Sequence, residues 1–167
     1  MKKIIVILFV LSLIVIFTKK EDDIIIPNNA IRFRVIANSN SLEDQNKKQI
    51  IKNDIEKQVY NLIKDANNTS DVRNLIESNI SEIDKIVSSY DVPYNINYGI
   101  NYFPAKNYKG IMYKAGNYES LVVTIGEGAG NNFWCVLFPP LCLLDNEKTD
   151  TSDVEYQFYV KNILDKF

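Results

Sequence analysis

The chain has 167 residues, 46% hydrophobic and 24% charged, the balance of an ordinary globular protein with one domain and one core once an N-terminal leader is set aside. It has no histidine, which removes the commonest general base and metal ligand, every Ser–His or Cys–His nucleophile pair and the usual zinc sites. The formal net charge is −2, but without Lys2, Lys3, Lys19 and Lys20 the remainder holds 15 basic against 21 acidic residues, an excess that repels phosphates and disfavours nucleic acid.

Lys2 and Lys3 precede an apolar run over 4–17 that is broken only by Ser12. A helix of that length reaches roughly 21 Å, which suits a signal-peptide core and is short for a membrane span of about 20 residues. No small-x-small cleavage pattern follows. Residues 1–20 therefore read as a signal peptide or an N-terminal membrane anchor, and either implies export into an oxidising compartment. Residues 21–29, ending in Pro27, Asn28 and Asn29, read as a linker, and 30–167 as a single extracytoplasmic domain.

Residues 30–37 alternate as a strand, with Ile31, Phe33 and Val35 on one face and Arg32, Arg34 and Ile36 on the other. Asn38, Ser39, Asn40 and Ser41 break it and offer helix caps, through Asn40-x-x-Glu43 or Ser41-x-x-Asp44. A helix is expected over 42–65 on the stripe Ile51, Ile55, Val59 and Leu62. A second is expected over 71–88 on Val72, Ile76, Ile80, Ile83 and Val87. Tyr94, Ile96, Tyr98, Ile100 and Tyr102 then alternate with small polar residues, a strand with all five large side chains on one face. Sheet core with hydroxyls reaching water explains that stripe better than a binding face does. A short strand over 108–114, a turn at Gly116 and Asn117, strands over 118–125 and 133–138 and a helix over 154–167 complete the order. This order predicts an α+β fold. An antiparallel or mixed sheet carries two consecutive helices after its first strand and a C-terminal helix.

The loop Gly126-Glu127-Gly128-Ala129-Gly130 invites a phosphate-binding reading, but a strand follows it where such loops need a helix, and no Lys-Ser/Thr pair is present. It reads as a hairpin connection between two strands, with Glu127 a solvated loop charge. Beyond Asn132, residues 133–144 (FWCVLFPPLCLL) carry no charge. Pro139 and Pro140 forbid a continuous helix. A strand, a Pro-Pro bend and a return would bring Cys135 and Cys142 within disulfide range, and closing that loop stabilises by roughly 2–3 kcal/mol in the chain-entropy model. The segment reads either as a buried hairpin or as an apolar patch offered to a partner, with Phe133, Trp134, Phe138, Pro139, Pro140 and Leu141 as contacts and Trp134 as anchor.

Taken together, Ile31-Arg32-Phe33-Arg34-Val35-Ile36-Ala37-Asn38-Ser39-Asn40-Ser41, Phe103-Pro104, Ala115-Gly116-x-Tyr118-Glu119 and above all the run from Ile125 to Cys142 resemble the stage II sporulation protein R family of endospore-forming bacteria. The resemblance covers roughly 30–142. It departs at Lys114, Val122 and Phe133, where the family tends to carry Pro, Arg and Trp. It implies an intercellular signal that leaves the forespore and, in the space facing the mother cell, triggers a membrane-embedded protease that processes the pro-sigma-E precursor. No catalytic residue, cofactor, metal or small-molecule substrate is implied. The membrane would be met through the leader if it stays uncleaved. The alternatives are a cell-wall hydrolase working through carboxylates such as Glu127, and a non-catalytic wall-binding module using an exposed tyrosine stripe.

Overall fold

The computed structural model describes residues 24–108, 110–141 and 153–166. Its order is β1 (Ile24–Ile25), β2 (Ile31–Ile36), α1 (Leu42–Ile63), α2 (Thr69–Ser78), α3 (Ile80–Ser88), β3 (Tyr94–Phe103), β4 (Lys106–Tyr108), β5 (Ile111–Tyr113), β6 (Gly116–Ile125), β7 (Asn132–Phe138) and α4 (Asp153–Leu164). The expected α+β class holds. A four-stranded mixed sheet runs β3-β6-β2-β7, and a small three-stranded sheet runs β1-β5-β4.

The alternation in β2 sets the layering. Ile31, Phe33 and Val35 face the helices. There they join Ile51, Ile55, Val59 and Ile63 of α1, Val72 and Ile76 of α2, and Ile83 and Val87 of α3 in the main core. Leu121, Val123 and Ile125 of β6 complete it. Between β2 and β7 the register slips by one residue at Ile31/Arg32. This bulge turns both Leu137 and Phe138 toward the same core. On the opposite face, Val136 packs with Ile26, Ala30, Ile111, Leu141, Val160 and Ile163, so β5 and α4 close a second, smaller core.

Four expectations change. Residues 24–26 are not linker: Ile24 and Ile25 pair in parallel with Ile111 and Met112, and Ile24 and Ile26 pack on the second core, Ile26 wholly buried, because burying these side chains gains more than leaving them in solvent. The helix expected over 71–88 is two helices. Asn79 leaves helical geometry between them, and its side-chain amide donates to the Leu75 carbonyl at 2.8 Å, a bond that competes with helix propagation. The glycine loop is not a hairpin connection. β2 lies between β6 and β7, parallel to the first and antiparallel to the second, so the loop crosses the end of β2. The tyrosine stripe divides: Tyr94, Ile96 and Tyr98 pack on the main core, whereas Ile100 and Tyr102 are 71% and 61% exposed. Phe103, of the opposite parity, is buried instead. The leader and Cys142 lie outside the described residues. Among the described residues no helix is long and apolar enough to cross a membrane.

Candidate functional site

Two of the sequence motifs meet in one polar clasp. Asn38, Ser39 and Asn40 leave the end of β2 where the glycine loop crosses it. The Asn38 Oδ1 accepts from the Glu127 N–H at 3.0 Å, the Asn38 carbonyl from Ala129 N–H at 3.0 Å, and the Ala37 carbonyl from Gly130 N–H at 2.9 Å. Asn131 N–H donates to Asn40 Oδ1 at 2.7 Å, and the buried Lys48 ammonium donates to the Asn131 carbonyl at 3.1 Å. Ser41 caps α1 by accepting from Asp44 N–H at 3.1 Å, so of the two capping patterns Ser41-x-x-Asp44 is the one used. The reciprocal bond of a capping box is not made, because the Ser41 N–H donates to Ser39 Oγ at 3.1 Å instead of to Asp44. The Asp44 carboxylate accepts from Ser39 Oγ at 2.6 Å and Asn38 Nδ2 at 2.9 Å, and those two bonds hold it below the usual carboxylate range.

The glycines fit this geometry. Gly126 and Gly128 have φ of 55° and 64°, in the left-handed region. At Gly130 a Cβ would lie 2.2 Å from the Ser39 carbonyl oxygen. Glu127 has an exposed side chain on the outside of the clasp. These residues fasten β2, α1 and β7 together, and nothing in their arrangement supplies paired acids.

The apolar segment is mostly interior. Phe138, Pro139 and Leu141 are buried, which withdraws them as partner contacts: the bulge and the second core draw them inward. Phe133, Trp134, Cys135 and Pro140 are half-buried. Phe133 stands on the helix side, edge-on to Phe33, with the Lys52 ammonium 4.5 Å from its ring centroid. Lys52 in turn is paired with the buried Glu56 at 3.1 Å.

Trp134 faces the other way, into a cavity of about 400 Å³ between the sheet and the β3–β4 connection. Its ring meets Phe103 edge-on with centroids 5.2 Å apart. The Arg34 guanidinium lies 4.4 Å from its centroid and the Lys106 ammonium 5.3 Å. Arg32 also lines the cavity. It is only 2% exposed, and its guanidinium stacks 3.4 Å from the Tyr118 centroid, with Phe103 and Tyr113 farther out at 5.3 and 5.9 Å. Burial lowers its proton affinity from the ordinary arginine value, against a smaller opposing pull from Tyr118 and Tyr113. Asn132 stands at the cavity wall.

Sequence reasoning missed one network. Arg73 of α2 holds both oxygens of Glu119 at 2.7 Å, and Tyr98 donates to the same carboxylate at 2.6 Å. Desolvation raises the Glu119 pKa, but the bonds from Arg73 and Tyr98 together outweigh it and hold the carboxyl below the usual range. Burial, followed by Glu119, pushes the Tyr98 phenol up. The network clamps α2 to the sheet. Among the described residues no cluster of His, Cys, Asp or Glu could hold a metal ion.

Comparison with known proteins bears on the arrangement as a whole. The family model for stage II sporulation protein R matches residues 27–148. Stage II sporulation protein R of Bacillus subtilis strain 168 is 38% identical over 132 residues, covering 75% of this chain. The chain spans 59% of that relative's length. No solved structure matches. Both the clasp motifs and the 133–142 segment fall inside the matched region, and the chain belongs to the stage II sporulation protein R family, which ties it to sporulation.

Proposed function

We propose that this chain is an exported sporulation signal that acts by contact. It would work in the space between forespore and mother cell, on a membrane-embedded protease that processes the pro-sigma-E precursor, and make or break no bond itself. The observation that carries this reading is the family match over 27–148, which takes in every described element except β1 and α4. Three features support it. The apolar run over 4–17 suits export or anchoring. The chain lacks histidine, and the loop carboxylate of Glu127 is exposed. The Cys135 sulfur is engaged in a disulfide, and the chain's other cysteine is Cys142, which supports a bridge suited to an oxidising compartment.

The contact surface would be built around Trp134 and the half-buried residues beside it, since Phe138, Pro139 and Leu141 belong to the interior. The test is reconstitution of the purified full-length chain with the candidate protease and its precursor substrate in vesicles. Processing that depends on added chain, in proportion to its binding, is expected. Precursor cleavage by the chain alone, or equal processing without it, would end the proposal.

A further inference from the structure

The cavity beside Trp134 differs in charge from the acidic chain around it. The described residues that line it include Arg32 and Lys106 and no carboxylate. Arg32 is almost wholly buried, yet its Nε and Nη2 have no hydrogen-bond acceptor among the described residues. Rings face its charge and stabilise it by stacking. Stacking leaves the in-plane N–H donors unmet, and an unmet buried donor is costly, the more so when charged. Nε and Nη2 form one edge of the guanidinium, the edge that grips both oxygens of a carboxylate. The same chain shows that edge filled, where Arg73 Nε and Nη2 each reach one oxygen of Glu119 at 2.7 Å. The remaining wall is largely flat and apolar, with Phe103, Pro104, Tyr113 and Trp134. Asn132, also on this wall, has an Oδ1 without a donor among the described residues. A volume of about 400 Å³ is small for a ligand site and fits a ring-sized group.

We propose that this cavity binds a single carboxylate carried on an apolar, ring-sized group. Arg32 chelates the two carboxylate oxygens through its Nε/Nη2 edge, and Phe103 and Trp134 flank the apolar part. A free small acid and the C-terminal residue of a peptide present the same chemistry.

Trp134 is the chain's single tryptophan and stands in the cavity wall, so its fluorescence reports occupancy. The purified full-length chain is titrated with phenylacetate and N-acetyl-phenylalanine, and with the corresponding amides. Both acids are expected to give a saturable change, with the amides weaker by about tenfold or more. Tighter binding of phenylacetate identifies a free acid as the ligand type, and tighter binding of N-acetyl-phenylalanine a peptide end. Arg32→Lys keeps the charge and loses the fork, and should weaken the acids about tenfold while leaving the amides unchanged. Should that variant fail to fold by circular dichroism, the contrast between acid and amide on the unaltered chain decides. Equal responses to acid and amide, or no saturable response to either acid up to about 10 mM, overturn the site.

Discussion

The clasp makes a sharp prediction at Gly130. Its backbone angles are open to any L-residue, so Gly130→Ala acts through space alone. The new methyl would sit 2.2 Å from the Ser39 carbonyl oxygen, 2.6 Å from its carbon and 2.9 Å from the Ala37 Cβ. Two of those three atoms are backbone, so no side chain can swing aside. Relief requires the loop to lift by about 1 Å, which breaks the Gly130–Ala37 bond at 2.9 Å and loosens the Asn131–Asn40 bond at 2.7 Å. Two hydrogen bonds at about 1 kcal/mol each, plus about 1 kcal/mol of residual strain, give a loss of about 3 kcal/mol. For a domain of this size that lowers the melting temperature by about 10 °C. Thermal melts followed by circular dichroism measure it, with Glu127→Ala as the reference, since that exposed side chain should cost under about 0.5 kcal/mol. If Gly130→Ala melts within about 2 °C of the reference, the loop gives way freely and the clasp does not constrain the fold.

Glu119→Gln should cost about 1–2 kcal/mol at pH 7, discounted because the Arg73 side chain is 42% exposed. The folded Glu119 pKa is depressed, so its contribution is complete above the unfolded value of about 4.3 and fades as pH falls through the folded value. Urea melts at neutral and acid pH should therefore converge for parent and variant, and a gap that widens in acid refutes the assignment. Cys135→Ser and Cys142→Ser should each lower stability by about 2–3 kcal/mol and reduce signalling with it; unchanged melting and full signalling would remove the bridge from the account. Glu127→Ala should leave precursor processing at the parental level in the reconstituted system, and its loss with the fold intact would revive a carboxylate hydrolase.

What the sequence disclosed follows the range of the forces involved. The helix stripes and the alternation of β2 and β6 are local periodicities, so Ile51, Ile55, Phe33 and Val123 could be assigned to the core from spacing alone. The parallel pairing of β2 with β6 could not, because nothing near Arg32 names Ser120 as its neighbour. The glycine loop is not a hairpin for the same reason: Gly126 and Gly130 answer to Asn38 and Ser39, far away in the chain. In the sequence Arg32 stands out only as part of the β2 motif. An arginine in an alternating strand reads as solvent-facing, and only the rings of Phe103, Tyr113 and Tyr118 closing over it make it interior. The burial of Phe103 contradicts the parity of its own strand's stripe, and no local pattern signals it.

The placement of β2 has a consequence for how the molecule comes into being. Arg32 lies between Ser120 and Val136, so the earliest strand of the main sheet obtains both its neighbours from the last third of the polypeptide. Closing such long loops is slow, and the helices made in between have no finished surface to dock on until it happens. A nascent chain, or one threading through a pore, therefore stays unfolded until Phe138 has emerged, and shortened products ending before that point should be degraded rather than accumulate as half-built domains.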